Sequence, residues 1–298
     1  MSAAVPGSAG VPRRALIALF AALAVAPALR APAAETQSGD ASANGLEMYY
    51  EIHGEGPPLV LLHGGLMTIE GFGELLPALA RSRQVIAVEQ QAHGRTADID
   101  RPLRYEQMAE DTAALLRELG IEQADFFGYS MGGGVALQIA IRHPDLVRRL
   151  VLAAANYDPD GYYPEVLEAI QGLKPEDFVG SPWQEAYERV APNPEDWPAL
   201  LDKIKDLDLW FEGWLREDIA AIEAPALVIV GDSDVVRPEH AVDLFRLLGG
   251  GVPGDLGGLP RSRLAVLPGT THVTLVERVD WLIPMVTAFL DAPMPAPR

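Results

Sequence analysis

Two observations predict an α/β fold with a mostly parallel sheet. Short continuous apolar runs recur along the chain, and they alternate with stretches whose apolar residues fall at helical spacing. Taken in order, residues 48–53 and 59–62 read as strands, the second running into His63-Gly64-Gly65. Residues 84–88 form the next strand, followed by Glu89-Gln90-Gln91-Ala92-His93-Gly94. Residues 105–119 space Met108, Thr112, Leu115, Leu116 and Leu119 as one face of a helix that stops at Gly120. A short strand is predicted at 125–128, a helix at 133–142 closed before Pro144, and a strand at 147–154.

The alternation breaks over residues 156–221, which are rich in proline, acids and aromatics. Four of the five tryptophans lie there: Trp183, Trp197, Trp210 and Trp214. A loop of about 65 residues without structure of its own is improbable inside a compact domain. The segment is therefore read as a helical cap inserted between two late strands, with a helical patch over 197–214. Alternation resumes with a strand at 226–230, a helix at 239–248, a strand at 264–267 and a last helix at 279–290. The glycine-rich stretch 249–258 reads as an irregular loop. The expected organisation is a core formed by 35–155 and 222–298, with the cap at 156–221.

With 49 % hydrophobic and 22 % charged residues, the 298-residue chain has the composition of a globular protein. Its formal net charge of −19 opposes phosphate backbones and anionic lipid, so nucleic-acid binding has no support. At the N-terminus, Arg13 and Arg14 precede a short apolar run from Ala15 to Leu29. Ala31-Pro32-Ala33 then offers a small-x-small cleavage site. That order of features predicts a signal peptide over 1–34 and a secreted or periplasmic protein with no stable membrane span once the leader is removed. There is no cysteine, which excludes disulfides, thiolate metal sites and a cysteine nucleophile.

Chemistry concentrates at turns that follow strands. Gly128-Tyr129-Ser130-Met131-Gly132 lies directly after one strand and before a helix. In that setting the chain reverses so sharply that Ser130 adopts a strained backbone and lifts its hydroxyl clear, at the N-terminus of the following helix, where the Met131 amide can help stabilise an oxyanion. His63-Gly64-Gly65 offers a second set of free amides, with Gly65, and next to it Leu66, as the donor to an oxyanion. A serine hydroxyl needs a base. Of six histidines, His272 sits in a loop after the last strand, at the same sheet edge as Ser130. His63 reads as a brace for its own loop; His53, His93, His143 and His240 fit other roles. The base needs an acid, and Gly231-Asp232-Ser233-Asp234 offers Asp232 and Asp234. Neither metal-ligand spacing nor a dinucleotide-binding glycine motif is found, so no metal and no cofactor are expected.

Taken together, these residues make the chain resemble the α/β-hydrolase superfamily, over about residues 45–291. The marks are His63-Gly64-Gly65, Gly94 in Ala92-His93-Gly94, the Ser130 pentapeptide extended by Gly133, Gly231-x-x-Asp234-x-x-x-Pro238, and Gly269-x-x-His272. The resemblance implies an α/β-hydrolase fold with a cap. It also implies a catalytic triad of Ser130, Asp234 and His272, since the family places the acid at the aspartate of Gly-x-x-Asp-x-x-x-Pro and the histidine last. Asp158, after the strand before the cap, is the alternative acid that some relatives use. The stretch Glu89-Gln90-Gln91-Ala92 departs from the more usual Asp-x-x-Gly. A serine at the elbow argues against dehalogenase and epoxide hydrolase chemistry.

The expected function is that of a serine hydrolase acting on a small-molecule carboxylic ester, with Leu66, Tyr129, Trp183, Trp210 and Trp214 lining its pocket. Carbon–carbon hydrolase, lactonase or perhydrolase chemistry would use the same triad. A ligand receptor on this fold would not need the whole set.

Overall fold

In the computed structural model, which describes residues 36–294, the chain opens with an antiparallel hairpin, β1 (Gln37–Ala43) and β2 (Leu46–His53). The leader predicted over 1–34 lies outside the described residues. Asn44 and Gly45 close the hairpin with φ of 53° and 91°, the pair of positive values that a two-residue turn between twisted strands requires. β1 escaped the sequence reading because Gln37-Ser38-Gly39-Asp40 carries no apolar run; only Ala41 and Ala43 are buried.

The interior follows as β3 (Pro58–Leu62), α1 (Leu75–Leu79), β4 (Gln84–Val88), α2 (Tyr105–Glu118), β5 (Ala124–Tyr129), α3 (Met131–Arg142) and β6 (Val147–Ala153). The insertion carries α4 (Pro164–Gly172), α5 (Pro182–Val190), α6 (Trp197–Leu209) and α7 (Arg216–Ala221). β7 (Ala226–Ser233), α8 (Pro238–Leu247), the single turn α9 (Gly254–Gly257), β8 (Arg263–Thr271) and α10 (Val279–Leu290) complete the chain. The helix expected through Trp214 ends at Leu209, and the loop expected over 249–258 contains the turn α9. No helix among the described residues is long and apolar enough to cross a membrane.

The strands form one sheet in the order β1-β2-β4-β3-β5-β6-β7-β8, antiparallel at β1, β2 and β4 and parallel from β4 onward. Successive side chains of a strand point to opposite faces. Accordingly, Val60, Leu62, Phe126, Leu150 and Leu152 enter one buried cluster with α2, α3 and α8, while Leu59, Leu61, Phe127, Val151 and Ala153 enter a second with α1 and α10. Burial on both faces is what made these strands read as unbroken apolar runs. The parallel strands all point their C-terminal ends at one edge, and there the loops after β3, β5, β7 and β8 meet.

Candidate active site

Ser130 stands between β5 and α3 with φ 53° and ψ −120°. A non-glycine residue in this conformation costs about 1–3 kcal/mol and persists only where its surroundings enforce it. Here the Ser130 amide donates to the Ala153 carbonyl (2.9 Å), and the Ser130 carbonyl accepts from the Gly133 amide (2.8 Å). The turn also brings backbones close. A Cβ on Gly128 would lie 2.3 Å from the Gly132 carbonyl oxygen, and one on Gly132 would lie 2.2 Å from that of Leu62. The helix begins at Met131, two residues earlier than its periodicity suggested, which sets the Met131 amide in its first turn.

His272 follows the last residue of β8. Its Nε2 lies 2.9 Å from Ser130 Oγ, and its Nδ1 lies 2.7 Å from Asp234 Oδ1. Asp234 is buried, and its carboxylate also accepts from the amides of Val236 (3.0 Å) and Gly231 (3.3 Å). A carboxylate oxygen can only accept, so Nδ1 carries the hydrogen and Nε2 turns its lone pair to the serine. Tyr129, beside the serine, donates from its hydroxyl to the His272 carbonyl (2.9 Å), with the two rings 5.3 Å apart.

Asp232 does different work. Its exposed carboxylate accepts from the amides of Gly269 (3.0 Å) and Thr270 (3.2 Å), which hold it below the usual carboxylate range and tie the β7 turn to the end of β8. Asp158 accepts from the Asp160 amide at the start of the insertion and makes no bond to His272.

The loop after β3 is held by two buried histidines. His63 donates from Nδ1 to the Gly64 carbonyl (2.8 Å) and accepts the Gln90 amide at Nε2 (3.1 Å). His93 donates to the Gln91 carbonyl (2.9 Å) and accepts the Leu66 amide (3.2 Å). The rings lie 4.9 Å apart. Leu66, expected as a pocket residue and second oxyanion donor, therefore spends its amide on His93; its positive φ of 61° marks the bend of the loop. Burial depresses the pKa of His63 to about 4 and of His93 to about 3. Both stay neutral in the folded state while the unfolded chain takes up protons below about 6.5. Stability is then full above about pH 6.5 and declines as pH falls through the window down to the folded values. Urea unfolding at pH 7 and pH 5 is expected to show this loss, and a smaller one in His93→Gln.

The departure at Glu89-Gln90-Gln91 acquires a role here. Glu89 is fully buried and accepts from the amides of Ile69 (3.3 Å) and Arg95 (2.5 Å) and from the Arg95 guanidinium (3.1 Å), while burial raises its pKa to about 7. Gly94, at φ 54°, is glycine because a Cβ would lie 2.2 Å from that carboxylate.

Over the loop, Ile204 of α6 sits 3.3 Å from where a Gly65 Cβ would be. Tyr105 of α2 packs on Gly134 of α3 and meets the rings of Phe211 and Trp214 at 5.2 and 5.3 Å. Of the three tryptophans expected at the pocket, Trp214 is the one brought to this aromatic group, with its indole NH on Glu106 (2.9 Å). Trp210 caps α6 and is 71 % exposed; Trp183, 39 % exposed, packs edge-on against Phe178. Aromatic enrichment flagged the segment, but it does not tell which side of a helix end a ring takes. Sequence reasoning missed Asp208 of α6, whose charge reaches His272, Tyr105 and Tyr162 and whose pKa burial raises to about 7. Its signal was an acid one turn beyond Ile204 on an otherwise apolar helix face.

A parallel sheet with a strained serine elbow and a histidine and acid on the following strand ends defines a class of protein, and the comparisons agree with it. The family model described as the alpha/beta hydrolase fold matches residues 57–180. The chain is 30 % identical over 264 residues to the pimeloyl-[acyl-carrier protein] methyl ester esterase of Vibrio atlanticus, covering 78 % of this chain and 94 % of that one. The chain belongs to the α/β-hydrolase superfamily. Among solved structures, it resembles a meta-cleavage product hydrolase from Pseudomonas fluorescens (TM-score 0.67, 21 % identity, 86 % of this chain and 97 % of that one). It also resembles the enol-lactonase from Burkholderia xenovorans (TM-score 0.66, 23 % identity, 85 % and 100 %).

Proposed function

We propose that the protein is a serine hydrolase that cleaves a small carboxylic ester through an acyl-enzyme on Ser130. The observation that carries this reading is the relay of two hydrogen bonds, from Asp234 Oδ1 through His272 to Ser130 Oγ, at 2.7 and 2.9 Å. Ser130 attacks the carbonyl carbon as Nε2 takes its proton. The imidazolium so formed is stabilised by Asp234 and returns the proton to the departing alkoxide. Water then repeats the sequence on the acyl-enzyme. The developing oxyanion is received by the amides of Met131 and Gly65, each a contribution of about 2.7–4 kcal/mol in comparable sites. With the Leu66 amide held by His93, Gly65 is the loop's donor to substrate.

Ester chemistry is favoured by the esterase activity that the Vibrio relative carries in its name. Residues 156–221 act as the cap, bounding the cleft with Ile204 and the Tyr105, Phe211 and Trp214 rings. The N-terminal leader supports a site of action outside the cytoplasm. A fluorophosphonate probe tests the mechanism. The expected result is a mass increase localised to Ser130 and absent from Ser130→Ala; folded protein that stays unlabelled overturns the reading.

A further inference from the structure

We propose that Asp208, with the rings of Phe211 and Trp214 that pack on buried Tyr105, receives a cationic ammonium group carried by the substrate. The proposal rests on the ester-hydrolase reading above and names the substrate class for the same site.

Placement is the first argument. Ile204 covers Gly65, and Asp208 follows it by one helical turn on the same face of α6, over the loop beside Ser130. Tyr105 packs against Gly134 in the helix that starts after Ser130, which brings its ring to the same end of the sheet. Asp208 couples electrostatically to His272, Tyr105 and Tyr162, which places it near all three. The charged and titratable groups around it are thus His272 after β8, Tyr105 and Glu106 on α2, and Tyr162 after β6.

Lack of a partner is the second. Asp234 is engaged by His272, Glu106 by the Trp214 indole, Asp98 by Lys203, and Asp243 by Arg216. Among the described residues the Asp208 carboxylate has no hydrogen bond or ion pair. Part of its surface is accessible, yet protein packs densely enough around it to disfavour the charged form. A carboxylate in that position is costly until a donor or cation arrives.

The third argument is the wall beside it. Tyr105, Phe211 and Trp214 form a mutual edge-to-face cluster at 4.8–5.3 Å, and Phe211 lies three residues beyond Asp208. Aromatic faces attract a cation through their quadrupoles, most strongly when water is excluded. Glu106, on the Trp214 indole, adds negative charge behind the cluster. The net charge of −19 raises the local concentration of cationic esters and lowers that of anionic ones.

The test uses isosteric pairs that differ only in charge. Choline butyrate is set against 3,3-dimethylbutyl butyrate, and methyl 4-(trimethylammonio)butanoate against methyl 5,5-dimethylhexanoate, so that the cation sits on the alcohol side or the acyl side. For at least one pair, wild-type protein is expected to favour the cationic member in kcat/KM by about tenfold or more, and Asp208→Asn to bring the ratio near unity. Calorimetry with folded Ser130→Ala, alone and combined with Asp208→Asn, reads the same preference as binding without turnover. If no ester is cleaved but Ser130→Ala binds the cationic member preferentially and loses this with Asp208→Asn, the ester reading fails and the cation site stands. Ratios unchanged by Asp208→Asn, or equal binding of the paired compounds, overturn the proposal.

Discussion

Asp234→Asn is expected to lower kcat on a chromogenic ester by about 10³–10⁴-fold, the scale seen when a triad acid loses its charge. The carboxylate accepts three hydrogen bonds, from His272 Nδ1 and the amides of Val236 and Gly231, and has none to donate. An asparagine in its place must aim an NH₂ group at one of these N–H donors whichever way it turns. It also withdraws the negative charge that stabilises the imidazolium. Asp232→Asn provides the contrast. Its carboxylate is exposed and holds two amides of the turn before His272, so its loss costs a surface hydrogen bond or two, about tenfold or less in rate. Steady-state kinetics on both variants, with thermal melts to show that each is folded, decide the matter. Equal losses would remove Asp234 from its assigned place.

The second large effect is structural. Gly132→Ala sets a Cβ 2.2 Å from the Leu62 carbonyl oxygen and 2.7 Å from that of His63. Both are backbone atoms at the end of a central strand, and neither can rotate aside. α3 would have to lift from the sheet, taking the Ser130 turn with it. Overpacking against side chains costs about 1–3 kcal/mol; against fixed backbone the loss should reach about 3 kcal/mol or more. Urea titration checks it, and Gly172→Ala is the control: that residue ends α4 with no positive φ and nothing within 4 Å of its added Cβ. There the change is expected to be neutral, or to stabilise by about 0.4–1 kcal/mol by narrowing the unfolded ensemble.

What could be read in advance follows from the range of each interaction. The Ser130 elbow is local: strand, tight turn and helix are contiguous from Ala124 to Arg142, and the glycines that permit the turn lie two residues to either side of the serine. His272 was legible because parallel strands deliver their C-terminal ends to a common edge, so position after a strand substitutes for coordinates; position left Asp232 and Asp234 both open, and the Gly-x-x-Asp-x-x-x-Pro pattern of the resemblance favoured Asp234. β1 was not legible by apolar runs, although Asn44-Gly45 signals its turn. The grip of His93 on the Leu66 amide spans 27 positions and depends on how two loops fold over one another. Asp208 depends on the rotation of α6 about its own axis, and the tryptophans misled because abundance in a segment does not determine which of them turns inward.

The bond from Tyr129 to the His272 carbonyl has an evolutionary consequence. The serine and histidine stand 142 positions apart, yet the residue beside one holds the backbone of the other. Asp232 and Asp234 extend that ring of contacts through the ends of β7 and β8, and none of these bonds uses an atom from α4 to α7. Substitutions within the insertion therefore leave every bond of this ring in place. A lineage carrying such a ring can vary the insertion while keeping these bonds.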